Sequence, residues 1–210
     1  MVYGLVYSFI FTLSNRVDHV PGILNKHGSP GRSRIYLLYE RPITPPARYS
    51  LNHLIGDVTS MGFPEPVVHE IGFGNIVMSI GYLLNIIVPI KDELFLVVGS
   101  DNSVLDTITL LSVVLSRKKF EYMALHGHIG VHLVSKTIDL LLGRVKIPGG
   151  AWRILDFVKR CNGATIKEIM EELGYNEATV RKYLNILKTY NLVKIHRGGH
   201  VIPTQIARLF

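Results

Sequence analysis

Between residues 2 and 135, short runs rich in β-branched and aromatic residues alternate with longer segments of helical period. This alternation constrains the fold more than any other feature. The strand-like runs are 2–12, 34–40, 66–71, 93–98, 120–125 and 131–135. The helical segments are 16–27, weakened by Pro21 and Gly22, then 48–61, 75–87 and 104–116. In 48–61 the apolar residues Leu51, Leu54, Ile55 and Val58 fall on one helix face. Strands that alternate with helices form a mostly parallel sheet covered on both faces. Right-handed crossovers then favour a doubly wound α/β sheet of strand order 3-2-1-4-5-6.

In that order strands 1 and 4 are neighbours, and their C-terminal ends open a crevice where ligands bind. The ends are Thr12, Leu13, Ser14 and Asn15 on one side and Gly99, Ser100, Asp101, Asn102 and Ser103 on the other. These nine residues are the expected ligand-binding set. Gly99 would let a backbone approach closely, and the start of the next helix would offer N–H groups and a partial positive charge to a phosphate. Plain helix capping by Asp101, Asn102 or Ser103 is an equally good account of the second loop. No G-x-G-x-x-G and no P-loop lysine follows strand 1, which argues against a dinucleotide or a nucleoside triphosphate.

Charge divides the chain. Residues 148–210 carry ten Lys/Arg against five Asp/Glu, a balance of +5, whereas residues 1–147 contribute +2 of the formal +7. A small basic C-terminal module points to a polyanion. Cys161 is the one cysteine, so an internal disulfide and a thiolate metal site are excluded and a reducing cytoplasm is expected. The opening residues lack a basic n-region and read as a strand. Residues 71–90 are uncharged over a length that could span a bilayer. Asn75, Ser79, Asn85, Pro89 and the regular strand–helix neighbours favour a subunit interface instead.

The pattern changes near residue 147, which sets expected domains of 1–147 and 148–210. Trp152, Ile154, Leu155 and Val158 follow a helical period. Thr165 and Glu168 form a capping box, and Gly174 ends that second helix. A third helix begins after Asn176 with Val180, Leu184 and Leu187 inward. A hairpin then turns at Gly198-Gly199. Three helices and a two-stranded wing make a winged helix-turn-helix. As a DNA reader it would use Thr179, Arg181, Lys182 and Asn185 at base edges or nearby phosphates. Lys188, Arg197 and His200 would sit at the backbone. A protein-contact module is the alternative.

Two further groups invite a chemical reading. His126, His128 and His132 lie close in sequence, but a hairpin needs nothing more than they provide, so no metal is expected. His69-Glu70 ends strand 3 and reads as a solvated strand end. No catalytic residues are assigned.

The phrases "VVGSDNSVLDT" and "TIKEIMEELGYNEATVRKYLNIL", together with clefts after strands 1 and 4, carry a family resemblance. The chain resembles archaeal CRISPR-associated regulators that join a CRISPR-associated Rossmann fold (CARF) domain to a winged helix-turn-helix. "GSDN" keeps that family's glycine and small residue and lacks the basic residue that often follows. The resemblance implies a Rossmann-like sensor domain, a homodimer with a cleft shared across its twofold axis, and transcription control in antiviral defence. It implies a cyclic oligoadenylate as ligand, the tetraadenylate first, and no cofactor. Cleavage of that ring by a metal-independent nuclease, or sensing of an unrelated metabolite, are the alternatives.

Overall fold

The computed structural model describes residues 6–14, 17–99, 102–126 and 129–209. It divides into two compact units, Met1–Leu133 and Val134–Phe210.

The first unit runs β1 (Tyr7–Leu13), α1 (His19–His27), β2 (Ile35–Glu40), α2 (Pro45–Ser60), β3 (Val67–Ile71), α3 (Ile76–Ile87), β4 (Glu93–Val98), α4 (Ser103–Leu115), β5 (Phe120–His126) and β6 (Ile129–Leu133). The sheet order is β3-β2-β1-β4-β5-β6, with β1 to β5 parallel and β6 antiparallel to β5. This is the expected order, and the sheet is Rossmann-like.

Every residue of β1 is buried, as a central strand covered on both faces requires. One face carries Phe9, Phe11 and Leu13, packed with Val20 and Leu24 of α1 and Leu51 and Leu54 of α2. Phe95 of β4 stacks on Phe9 with ring centroids 5.2 Å apart. From the other face Thr12 reaches α4, which packs beside α3.

Several helix boundaries differ from the sequence reading, for local reasons. Pro21 lies in the first turn of α1, where its missing N–H costs nothing, so it does not break the helix. Pro45 and Pro46 likewise open α2 three residues before the expected start at Arg48. The uncharged stretch 71–90 is divided among the end of β3, a loop and the 12-residue α3, capped by Asn75. No helix of the described residues is long and apolar enough to cross a membrane.

The second unit begins with a helix that the pattern did not suggest, α5 (Ser135–Leu141), which buries Thr137, Ile138 and Leu140. The Thr137 hydroxyl donates to the Tyr190 carbonyl at 2.8 Å, tying α5 to this unit. The compact units therefore part at Leu133/Val134, ahead of the 147/148 break read from composition.

There follow α6 (Gly149–Arg160), β7 (Ala164–Thr165), α7 (Ile166–Leu173), α8 (Glu177–Thr189), β8 (Val193–Ile195), β9 (His200–Pro203) and a short 3-10 turn, Ile206–Leu209. The strands form an antiparallel sheet β7-β9-β8. Ile154, Leu155, Val158, Ile169, Val180, Leu184 and Leu187 make its core. Both arms of the Thr165–Glu168 capping box are present, and Gly174 ends α7 at φ 66°. Gly150 opens α6 where a Cβ would lie 2.6 Å from the Tyr183 ring, so only glycine allows α6 to pack this closely on α8. The unit is a winged helix-turn-helix.

Candidate functional site

The ends of β1 and β4 are adjacent, with Phe11 paired to Val97. Thr12 is completely buried, and its hydroxyl donates to Asp106 Oδ1 of α4 at 2.5 Å. The same oxygen accepts the Gly99 N–H at 3.3 Å. Thr12 thus fastens β1 to the β4–α4 turn from inside. Leu13 lies in the hydrophobic core. Because β1 is buried on both faces, neither side chain faces the crevice as the sequence reading had it.

Gly99 also has an internal reason. A Cβ there would stand 3.1 Å from Leu125 Cβ of β5. Asn102 caps α4, its Oδ1 accepting from the N–H groups of Val104 at 2.9 Å and Leu105 at 3.2 Å. Those two N–H groups are occupied, so a phosphate would compete for them with the Asn102 side chain. Ser14 is half-buried and Ser103 is exposed at the first turn of α4. Asn15, Ser100 and Asp101 lie outside the described residues.

Sequence reasoning missed Glu40, the last residue of β2. Its Oε2 accepts from Asn102 Nδ2 at 2.6 Å, which brings an exposed carboxylate to the same sheet edge. The signal was available in outline, since β2 is parallel to β1 and ends on the same side. The pairing with a residue 62 positions away was not. The described edge therefore offers hydroxyl, amide and carboxylate groups. Carboxylates suit ribose hydroxyls or base amino groups more than phosphate oxygens.

In the second unit α8 buries Val180, Leu184 and Leu187. The opposite face exposes Arg181, Lys182, Asn185 and Lys188, while Thr179 is half-buried and its N–H is taken by the Asn176 cap at 2.9 Å. Arg181 is engaged by its own helix. Its Nε donates to Glu177 Oε1 at 2.7 Å, and Nη2 lies 2.6 Å from the same oxygen.

Between α7, the start of α8 and the wing runs an open groove of about 570 Å³. Lys167, Met170, Glu177, Arg181, Ile195 and His196 are among its walls, and Lys167 and His196 were not singled out from sequence. Arg197 is exposed on the wing. His200 is exposed too, with its ring beside Gly163. The positive field of His200, added to the Thr165 hydrogen bonds, holds the Glu168 carboxyl below its ordinary value. Lys188 lies two turns further along α8, away from this groove.

Other sequence candidates resolve into structural pairs. Strand alternation leaves Glu70 exposed while the half-buried His69 Nδ1 lies 3.1 Å from the Tyr82 hydroxyl. His132 Nε2 lies 2.7 Å from Glu121 Oε2, a carboxylate supplied by β5. His128 lies outside the described residues. Among the described residues no three His, Cys, Asp or Glu are placed to hold a metal ion.

Residues 7–127 match the family model of the Csa3 CRISPR-associated Rossmann-like domain, and residues 152–206 match that of the DeoR-like helix-turn-helix domain. The chain is 18% identical over 187 residues to a Saccharolobus solfataricus protein named "CRISPR locus-related putative DNA-binding protein Csa3". That similarity covers 89% of this chain and 79% of the relative.

Proposed function

Because the chain belongs to the family of the Csa3 CRISPR-associated Rossmann-like domain, with a helix-turn-helix domain behind it, we propose that it is a ligand-responsive, DNA-binding transcription regulator of a CRISPR system. The observation that carries the reading is α8. Its apolar side is buried in the winged-helix core, and its other side exposes Arg181, Lys182, Asn185 and Lys188. A helix of that kind fits the major groove, with Arg197 of the wing on a neighbouring phosphate. The name of the Saccharolobus relative supports the same partner.

The first unit is then the sensor. We infer a cyclic oligoadenylate, the tetraadenylate first, as its ligand. Ser14, Gly99, Asn102 and Ser103 lie at the switch point of the sheet, and Glu40 adds an acceptor for ribose or adenine donors. A homodimer with a shared cleft suits a ring of repeated nucleotides. Exposed apolar side chains on α3 and α4 support the dimer: Ile76, Val77 and Met78 on the first, Leu111 and Leu115 on the second.

Fluorescence anisotropy with labelled duplex DNA across a salt series tests the DNA reading. Wild-type protein should bind, with log affinity falling linearly in log salt. Replacing both Arg181 and Lys182 by alanine should lower that slope by about 2 if both meet phosphates. Absence of binding at low salt would make the winged helix a protein-contact module.

Glu40 favours a second reading, in which the ring is cleaved. A carboxylate at this edge could take the proton of a ribose 2′-hydroxyl as its oxygen attacks the adjoining phosphorus. The P–O5′ bond would break and the 5′-oxygen would take up a proton. Chromatography of the tetraadenylate after incubation separates the two: an intact ring supports the sensor alone, a linear product the nuclease.

A further inference from the structure

Among the described residues that line the groove between α8 and the wing, Glu177 alone is acidic. A carboxylate facing a polyanion weakens binding to every duplex alike, so its position needs a reason. Helix stability is a weak one, since exposed pairs at this spacing contribute little. The geometry of the pair gives a better one.

Both contacts from Arg181 go to a single Glu177 oxygen, and they come from Nε and Nη2. That fixes one edge of the guanidinium plane. The N–H groups of Nη1 and the second hydrogen of Nη2 remain at the end of the fork. Two parallel N–H groups at this spacing match O6 and N7 of guanine in the major groove. A guanidinium free to rotate would also serve phosphates, which carry no sequence information.

We propose that Glu177 is a specificity-determining residue of the DNA interface: it clamps Arg181 by its Nε edge and aims the end of the fork at a guanine. The inference rests on the DNA-binding reading above. Glu177 itself is a positioning residue, and Arg181 is the group that meets the base.

The test is selection from a library of randomised duplexes by the full-length protein, with wild type, Glu177→Ala, Glu177→Gln and Arg181→Ala compared. Circular dichroism checks that each variant keeps its helix content. Wild type should enrich a motif with guanine at one strongly preferred position, and Arg181→Ala should lose that preference. Glu177→Ala should bind random-sequence duplex more tightly, while its preference for the guanine falls roughly tenfold, the weight of one well-made bidentate contact. Glu177→Gln keeps an accepting oxygen without the charge and should fall between, which preserves the test if the alanine variant folds poorly. A Glu177→Ala or Glu177→Gln protein that enriches the wild-type motif with undiminished preference would overturn the proposal and leave the DNA reading standing. Wild-type protein that enriches no duplex would overturn both.

Discussion

Gly99 illustrates how a residue can look made for a ligand and still answer to the core. The sequence places it at the end of β4, where close approach of a nucleotide backbone is the natural reading. The structure places Leu125 Cβ 3.1 Å from the position a Cβ would take. That contact is tight, and Leu125 sits on a central strand with little room to yield. Gly99→Ala should therefore destabilise the protein by about 1–3 kcal/mol, the usual range for an added methyl in a packed site. Thermal unfolding measures this. Combining it with Leu125→Ala should cost less than the two single changes together, because the second makes space for the first. Strict additivity would mean that Gly99 is not held by Leu125. Asn102 teaches the same lesson in reverse. Its residue type predicted a cap, and it is one, yet its other end meets Glu40 across the sheet edge. A local rule could supply the first contact and no local rule could supply the second.

At the scale of elements, α1 has a pH-dependent seat. His19 and His27 each bury Nε2 with no hydrogen-bond partner among the described residues. Burial lowers the pKa of His19 below 6.5, against a smaller upward pull from Asp18. Burial also lowers His27, helped by His132 and Lys26 and opposed by Glu121. Glu121 is pulled the other way by burial, but hydrogen bonds from His132 and Tyr7 outweigh it and hold the carboxyl below 4.5.

The signs agree. Below pH 6.5 the unfolded chain binds protons that native His19 and His27 refuse, so stability present above that pH is lost as pH falls through the folded values. Protonation of Glu121 adds a further loss at lower pH, below the carboxylate's ordinary 4.5. Denaturant midpoints at pH 7.5, 6.0 and 5.0 should decline in that order, and His19→Phe should flatten part of the decline. Equal midpoints across the range would show that neither histidine is neutral and buried.

Most of the elements were legible because each carries its own signal: period two or 3.6, caps at Asn75 and Asn176, and the Thr165–Glu168 box. The crossover rule then supplied the sheet order. Helix α5 was not legible. It is seven residues long with Val134 at its cap position and no side-chain cap, and its burial comes from contacts such as Thr137 to Tyr190. Of the candidate crevice, the sheet edge was legible and the direction of its side chains was not, because a strand buried on both faces hides the alternation that would have shown Thr12 pointing at α4.

At the scale of the whole molecule, the apolar faces of α3 and α4 set the assembly. Val77 and Met78 are 78% and 72% exposed, too open to matter to the fold of one chain. Val77→Glu with Met78→Glu should leave unfolding unchanged within about 0.5 kcal/mol, the ordinary scatter of surface substitutions. The same change should convert a dimer into a monomer in sedimentation at micromolar concentration. A wild-type monomer under those conditions would remove the dimer and the shared cleft with it.

The central claim joins a sensor to a DNA reader, and linkage makes it measurable. If the cyclic tetraadenylate and duplex DNA bind the same protein with coupled energies, each must alter the affinity of the other by the same factor. The decisive measurement is the affinity for a selected duplex with and without saturating tetraadenylate, paired with calorimetry of the nucleotide with and without that duplex. The account predicts equal, non-unit factors in the two titrations, typically five- to 150-fold. Tight binding of both ligands with a factor of one would contradict it, as would a protein that binds the duplex and ignores the nucleotide.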